Sequence, residues 1–184
     1  SDDGLTYTFT VRDDAFWTDG VPLDTEDILF TFNAILSDAV ETHRKSNLAQ
    51  VTEINVIDDK TFEVVFAAVD CNALQNLNIW IMPAHKFAAD FSDFTTSSFN
   101  DSPDISAGPF VFVERVPDEF IRFRANPDYW GGAPQIDEYV IRIIPDRVVL
   151  TQALAIGDVH YAEISSTDAE ILIGNDDVVI HQLP

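Results

Sequence analysis

The chain has 184 residues, a formal net charge of −22 at pH 7 and a hydrophobic content of 46%. This composition supports a buried core and excludes a disordered acidic tail. It also disfavours nucleic acid as a partner, because phosphate contacts need a basic patch, and no apolar run approaches the roughly 18 residues of a membrane span.

The acidic excess has two interpretations. The chain contains only three lysines (Lys45, Lys60 and Lys86), and its aspartates are spread over turns and helix faces. A very soluble acidic protein is one interpretation. The other, which the even distribution favours, is adaptation to molar salt, where the screening length falls from about 10 Å at 0.1 M to about 3 Å at 1 M.

The N-terminal stretch predicts a strand, a tight turn and a capped helix. Apolar and polar side chains alternate over residues 5–12, which is typical of a half-buried strand. An Asp-Gly dipeptide at 19–20 indicates a turn. Asp24 is a good N-cap and Asp27 an acidic capping-box partner for a helix with apolar spacing up to Leu36.

The middle of the chain reads as a hairpin followed by short elements. The segment 38–50 is polar and is predicted to be a loop that contains the basic cluster 43–45. The next predicted elements are strands at 51–57 and 61–66, a helix at 70–78 and a brief strand at 79–82 that Pro83 ends. The Ser-, Thr- and Asp-rich stretch 91–106 reads as a connecting loop and as the most suitable subdomain boundary.

The C-terminal part is predicted to be rich in strands. Its predicted strands are residues 110–116, 121–125, 136–144, 159–164 and 178–183. The third of these is apolar on both faces, which predicts a central strand. A helix at 147–156 would be closed by Gly157, and Thr167 with Glu170 forms a capping-box pattern for a last short helix.

Residues that could carry chemistry are sparse. Cys71 is the only cysteine, which excludes an internal disulfide, and we expect a buried small hydrophobe there rather than a reactive thiol. The four histidines lack metal-ligand spacing, and no nucleotide-binding or nucleophile motif is present. We therefore predict no catalytic residue, no metal site and no cofactor.

Three segments resemble consecutive motifs of one protein family. Residues 7–32 read YTFTVRDDAFWTDGVPLDTEDILFTF, residues 106–146 include NPDYWGGAP and end in IRIIPD, and residues 153–164 read ALAIGDVHYAEI. In this order they resemble the family 5 extracellular solute-binding proteins, the dipeptide, oligopeptide and nickel receptors of ABC importers. The NPDYWGG-x-P motif is the specific one.

The resemblance implies an α/β fold of mixed α+β type, the type II fold of periplasmic binding proteins, present in part. Residues 1–100 would lie in the small outer subdomain of the first lobe, and residues 101–184 in the ligand-binding part of that lobe. The second lobe would be absent. Because the chain enters in mid-motif and family members are far longer, we expect a fragment.

The resemblance also implies where a ligand would bind. Nickel receptors place contacts just before the proline that matches Pro83, and the stretch after Gly157 would lead toward the second lobe. Trp80 would either stack on a ligand or belong to the core, the two asparagines before it would bind or cap a helix, and Glu163 would meet an ammonium group. The predicted ligand-binding residues are Asn76, Asn78, Trp80, Glu163, Ser165 and Ser166.

Two further expectations concern ligand chemistry. The nickel receptors place an arginine close to the segment that matches residues 76–80, where this chain has neutral asparagines. This difference favours peptides over chelated metal. The basic cluster 43–45 is either a solvated loop or, as in the nickel receptors, close to the cleft.

The resemblance implies the receptor subunit of an ABC importer, which captures peptides or similar small solutes outside the membrane and delivers them to permease subunits. We expect a monomeric, non-enzymatic, extracellular protein, anchored as a lipoprotein through a segment outside this chain. Two alternatives stay open: an acidic surface or scaffold protein without transport, and a hydrolase that uses two of the 32 carboxylates. No pair of these carboxylates is marked by the sequence.

Overall fold

The computed structural model describes Ser1 and residues 3–181, and it confirms the predicted elements up to residue 66. These elements are β1 (Thr6–Thr10), α1 (Thr25–Leu36), β2 (Val51–Val56) and β3 (Thr61–Phe66). β3 lies between β1 and β2 and pairs antiparallel with both. Alternate residues of β3 are buried, which is the pattern of a strand with one face on a core.

The core of this region lies between the sheet and one face of α1. Its buried members are Ile28, Phe32, Ile35, Leu48, Phe62, Val64, Phe66 and Ala73. The rings of Phe9 and Phe62 stack across β1 and β3 with centroids 5.3 Å apart. The segment predicted to be a polar loop contains a 3₁₀ helix (His43–Leu48). Its last residue, Leu48, is 1% exposed and packs in the core, which attaches this segment to the rest of the unit.

The capping box of α1 is confirmed. The Asp24 side chain accepts a hydrogen bond from the Glu26 amide at 2.9 Å, and the Asp27 carboxylate accepts one from the Asp24 amide at 3.4 Å. Both contacts satisfy N–H groups that an α-helix leaves without an internal partner at its start.

The predicted strand at 79–82 is wrong. The short helix α2 (Ala73–Asn76) is present, but the residues after it belong to no sheet. The Met82 amide instead donates to Thr31 Oγ1 at 2.8 Å, and the Ala84 amide donates to Asp27 Oδ1 at 2.7 Å. Side chains of α1 thus satisfy the backbone donors that a strand would have paired with a neighbour.

The loop 91–106 is held by aromatic rings. Phe30 on α1 lies 5.2 Å from the ring of Phe91 and 5.8 Å from that of Phe87. Phe94 and Phe99 pack against Phe87, at 5.2 and 5.4 Å. This cluster gives the polar loop an apolar attachment to α1, which the lack of periodicity in the sequence concealed.

A second sheet follows the loop. It contains β4 (Phe110–Val116), β5 (Phe120–Ala125) and β6 (Glu138–Arg142) in the order β4-β5-β6. The prediction of a central strand at 136–144 is wrong, because β6 is shorter and forms the edge of the described sheet with all five residues exposed. The sequence of this strand is apolar on both faces, but Tyr139, Val140 and Ile141 remain 47%, 43% and 42% exposed, so no described element buries either face.

The NPDYWGG block is a turn anchored by Asn126. This asparagine is 4% exposed, its side chain donates to the Gly108 carbonyl at 2.9 Å, and it accepts from the Asp128 amide at 3.2 Å. Gly131 admits no Cβ, since one would lie 2.5 Å from the Tyr129 ring. Trp130 is 42% exposed, so its ring is only partly buried.

The C-terminal elements confirm the helix and correct the strands. α3 (Arg147–Ala155) is capped by Asp146 and followed by Gly157 with φ +82°. The predicted strand 159–164 is absent, and residues 178–181 form no strand either, while Gln182 and Leu183 lie outside the described residues. The N-cap of α4 (Ser166–Ala169) is Ser165 rather than Thr167, because the Ser165 hydroxyl accepts from the Asp168 amide at 3.2 Å.

The described residues divide into two compact units. The first contains Ser1–Arg115 and Arg122–Tyr139, and the second contains Val116–Ile121 and the described residues from Val140 onward.

Cys71 is exposed at the entry to α2, which contradicts its expected burial. Ala73, two residues later, is the first residue of this helix and is buried in the core. In the part of the chain that the structure describes, no helix is long and apolar enough to cross a membrane.

Candidate functional site

Trp80 is an exposed aromatic platform in the first unit. It is 79% exposed, although a tryptophan in this predicted strand could equally have belonged to the core. The Arg44 guanidinium lies 4.8 Å from the centre of its ring, a cation–π distance. One ring is thus presented to solvent with a positive charge against it, so stacking and charge can act together on a ligand.

The 3₁₀ helix His43–Leu48 positions Arg44. Its first turn is capped by Thr42, whose hydroxyl accepts from the Arg44 amide at 3.2 Å, and its last residue is the buried Leu48. The guanidinium also donates to the Asn78 carbonyl at 3.4 Å. Arg44 of the basic cluster therefore lies against residues 78–80, and the position of the cluster close to the cleft stays a prediction.

The two predicted asparagines have different surroundings. The Asn76 side chain donates to the Asp70 carboxylate at 2.9 Å, a contact that ties the end of α2 to the residues before it. This contact favours the structural alternative for Asn76. Asn78 is exposed; its main-chain amide donates to the Gln75 carbonyl at 3.2 Å and its main-chain carbonyl accepts from Arg44, so both main-chain groups are engaged and the side-chain amide faces solvent.

The segment that carries Trp80 is fixed at its far end. Pro83 is buried, and the residues after it make two polar contacts: His85 Nε2 lies 2.9 Å from Asp19 Oδ2, and Lys86 Nζ lies 3.0 Å from Asp104 Oδ2. Partial burial of Asp19 acts to raise its pKa, but hydrogen bonds from His85 and the Val21 amide outweigh it, so the pKa lies below its ordinary value. The carboxylate is ionised at neutral pH and holds the segment in place.

In the second unit, part of the predicted site lines a cavity of about 260 Å³. Its walls are formed by Arg147, Leu150, Glu163, Ile164, Ser165 and Asp168. The first turns of α3 supply the first two residues, and the entry to α4 supplies the rest. Glu163 and Ser165 therefore line one cavity, whereas Ser166 begins α4 and is not among the lining residues, and a ligand-binding role for all three stays a prediction.

The predicted residues thus form two groups, each in its own unit. Asn76, Asn78 and Trp80 belong to the first unit, and Glu163, Ser165 and Ser166 to the second. Sequence reasoning missed Arg44 as the partner of Trp80 and Arg147 as the cation of the cavity. The basic cluster 43–45 was the only signal for Arg44, since the resemblance to the nickel receptors offered a position close to the cleft, and nothing in the sequence assigned Arg147 to a site.

Within the described residues, no group of three or more His, Cys, Asp or Glu side chains is arranged to hold a metal ion.

The fold is that of the solute-binding proteins among the matched structures, and comparison with known proteins identifies the family. The family model described as bacterial extracellular solute-binding proteins, family 5 Middle, matches residues 1–183. The chain belongs to this family, as the sequence motifs predicted.

One relative and two solved structures illustrate the similarity. The oligopeptide-binding protein AppA of Bacillus subtilis is 28% identical over 172 residues, which are 91% of this chain and 31% of AppA. The structure of NikZ from Campylobacter jejuni in complex with Ni(L-His) matches with a TM-score of 0.86 at 25% identity, covering 96% of this chain and 35% of that one. AppA in complex with a nonapeptide matches with a TM-score of 0.85 at 25% identity, covering 95% and 35%.

The chain spans about a third of the length of the relatives it matches. The predicted α/β, type II periplasmic-binding-protein fold is confirmed as a partial fold. The family is one of binding proteins rather than enzymes, which agrees with the prediction. The division at residue 100 into an outer subdomain and a ligand-binding part concerns the lobes of a longer protein and stays a prediction.

Proposed function

We propose that this chain is part of the substrate receptor of an ABC importer, which captures peptides or similar small solutes outside the membrane and delivers them to permease subunits. Family membership supports the receptor class. The single observation that carries the binding role is Trp80, an exposed ring with Arg44 at 4.8 Å, in the segment where the family resemblance places ligand contacts. The two alternatives, a scaffold protein and a hydrolase, gain no support from the comparisons.

The chemistry of this surface suits a peptide. The free face of the Trp80 ring would stack on a side chain, the Asn78 amide would donate to and accept from the peptide backbone, and Arg44 would attract a carboxylate. The receptor would consist of two lobes that close on the ligand by a hinge motion. Anchoring through a segment outside this chain belongs to the same proposal.

A chelated metal is the second candidate, and Arg44 is the observation that favours it. The sequence lacks an arginine within 76–80, but Arg44 brings a guanidinium to the same place from another element. NikZ, one of the matched structures, is in complex with Ni(L-His). The argument from neutral asparagines against chelated metal is therefore weaker than the sequence indicated.

The test is calorimetric titration of the full-length receptor with a mixed peptide pool and, separately, with Ni(L-His). We expect Trp80→Ala to weaken peptide binding at least about tenfold, because the variant removes the aromatic stacking surface and the ring that holds the Arg44 guanidinium. Asn78→Ala should weaken binding several-fold while leaving the main-chain contact to Arg44 in place. Both variants should keep their melting temperature, since both side chains are exposed.

Trp130→Ala is the matched control. This ring also has an arginine against it, Arg12 at 4.6 Å, but it lies in the NPDYWGG turn. The Trp130→Ala variant should have a lower melting temperature than the wild type and an unchanged affinity for peptides. Unchanged peptide affinity in both Trp80→Ala and Asn78→Ala would place the site elsewhere, and binding of Ni(L-His) alone would favour the second candidate.

A further inference from the structure

The side chains of residues 78–81 alternate between solvent and the core of the first unit. Ile79 and Ile81 are half-buried and pack against that core, whereas Asn78 and Trp80 are exposed. Neighbouring side chains point to opposite sides where a chain is extended, so a slip of one residue would exchange the two sets and turn the Trp80 ring inward. The exposure of Trp80 therefore depends on the contacts that fix the register of this segment.

Two side chains of α1 supply these contacts. The Met82 amide donates to Thr31 Oγ1 at 2.8 Å, and the Ala84 amide donates to Asp27 Oδ1 at 2.7 Å. Helix positions four apart are separated by roughly 5–6 Å, and alternate residues of an extended chain by roughly 6–7 Å, so the two spacings match. Pro83, which lies between the two donors, has no N–H to be satisfied. One face of the helix thus holds the segment as a neighbouring strand would.

The Thr31 hydroxyl is built for this contact. Thr31 is 2% exposed, and its hydroxyl donates to the Asp27 main-chain carbonyl at 2.8 Å, one helical turn earlier. Because that bond uses the only proton of the hydroxyl, its lone pairs are left to accept from the Met82 amide. Asp27 has other donors to satisfy, among them the Trp17 indole, so Thr31 is the side chain whose contact to the segment can be removed by itself.

We propose that Thr31 is a positioning residue for ligand binding: it holds the register that presents Trp80 to the ligand. The assignment rests on the proposed receptor function and adds to the ligand-contacting surface a buried residue that does not touch the ligand. Arg44 holds the other end of the segment, where its guanidinium donates to the Asn78 carbonyl at 3.4 Å. Trp80 therefore lies between two fixed points.

The experiment compares two substitutions at this position in the full-length receptor, Thr31→Val, which keeps the shape and removes the hydroxyl, and Thr31→Ser, which keeps the hydroxyl. Thr25→Val is the matched control. Thr25 is also a buried threonine of α1, 4% exposed, but its hydroxyl donates to the Asp58 carbonyl at 3.0 Å, in the β2–β3 turn. Each variant is titrated calorimetrically with the mixed peptide pool and with Ni(L-His), and its melting temperature is measured.

Thr31→Val should weaken binding about three- to tenfold, the factor to which the loss of one hydrogen bond corresponds. Thr31→Ser should bind as tightly as the wild type. Thr25→Val should lower the melting temperature as Thr31→Val does and leave the affinity unchanged. In a Trp80→Ala background, Thr31→Val should have no further effect on affinity, because a residue that acts through the Trp80 ring is coupled to it.

An equal loss of affinity in Thr25→Val would show that binding follows stability, and it would overturn the positioning role. A Thr31→Ser variant that binds as weakly as Thr31→Val would overturn it as well, and so would a Thr31→Val effect that persists in the Trp80→Ala background. Weakened binding in Trp80→Ala with unchanged binding in Thr31→Val would overturn this assignment alone and leave the proposed function standing. Unchanged binding in both would overturn this assignment and the binding role of Trp80 together.

Discussion

Asp27 shows how one residue serves two levels of the structure. Its carboxylate completes the capping box of α1, and it also accepts from the Trp17 indole N–H at 2.8 Å and from the Ala84 amide at 2.7 Å. The side chain is 3% exposed. One buried carboxylate therefore connects the segment before the turn at 19–20, the start of a helix and the segment that carries Trp80.

We predict that Asp27→Ala lowers the free energy of unfolding by roughly 2–5 kcal/mol, because it leaves the buried Trp17 indole N–H and the partly buried Ala84 amide without an acceptor and removes half of the capping box. The control is Glu26→Ala, which lies on the exposed side of the same first turn and should cost under about 0.5 kcal/mol. Denaturant unfolding of both variants measures the difference. Equal costs would show that Asp27 acts only through helix charge.

At this scale, local chemistry could be predicted and partners in space could not. The helical roles of Asp24 and Asp27 depend on residues three positions apart, so the sequence contains them. Arg44 and Trp80 are 36 positions apart in the sequence and are brought together by the 3₁₀ helix that contains Arg44. The polar composition of that segment did not predict a helix. Trp80 was predicted to bind ligand, but the cation beside it required the structure.

Among the elements, β6 differs most from its predicted environment. Tyr139, Val140 and Ile141 are 47%, 43% and 42% exposed on a strand that forms the edge of its sheet. An exposed apolar edge offers unpaired backbone groups to any other strand. The apolar run correctly predicted a strand, but which strands flank it depends on residues far away along the chain.

We predict that the backbone amides of β6 exchange hydrogen roughly tenfold or more faster than those of β3, the central strand of the first sheet, because β6 is open on one side. β1 is the matched control, since it is also an edge strand but packs against the core on one face. It should be intermediate. Hydrogen exchange read by mass spectrometry at two protein concentrations makes the comparison, and slow exchange in β6 at both would mean that its edge is covered.

The same reasoning explains the strands that were wrongly predicted. Residues 79–82 and 159–164 have strand-like composition, yet the first donates to side chains of α1 and the second follows the turn at Gly157 without a pairing partner among the described residues. Caps and turns were predicted more reliably, because Asp146 and Gly157 act on neighbours within a few residues.

At the scale of the whole molecule, we expect the net charge to affect the stability of the folded state more than any single ion pair does. The sequence has 32 acidic and 10 basic side chains, so most carboxylates have no cation to pair with. Several of the ion pairs that do form are exposed, such as Arg12 with Asp14 and Lys45 with Asp38, and such pairs contribute little. The net repulsion acts against the compact state unless ions screen it.

We therefore predict that the melting temperature rises by more than about ten degrees between 0.1 and 2 M KCl, which corresponds to roughly 3–5 kcal/mol for a chain of this size. Screening predicts the shape of the rise as well, because the Debye length has already fallen to about 3 Å at 1 M. Most of the gain should come below that concentration. Sucrose at matched osmolality is the control, since it stabilises by exclusion from the surface without screening charge and should give a smaller, linear rise. A melting temperature that stays flat in KCl would contradict the adaptation to high salt, and a rise that sucrose reproduces would assign it to exclusion instead.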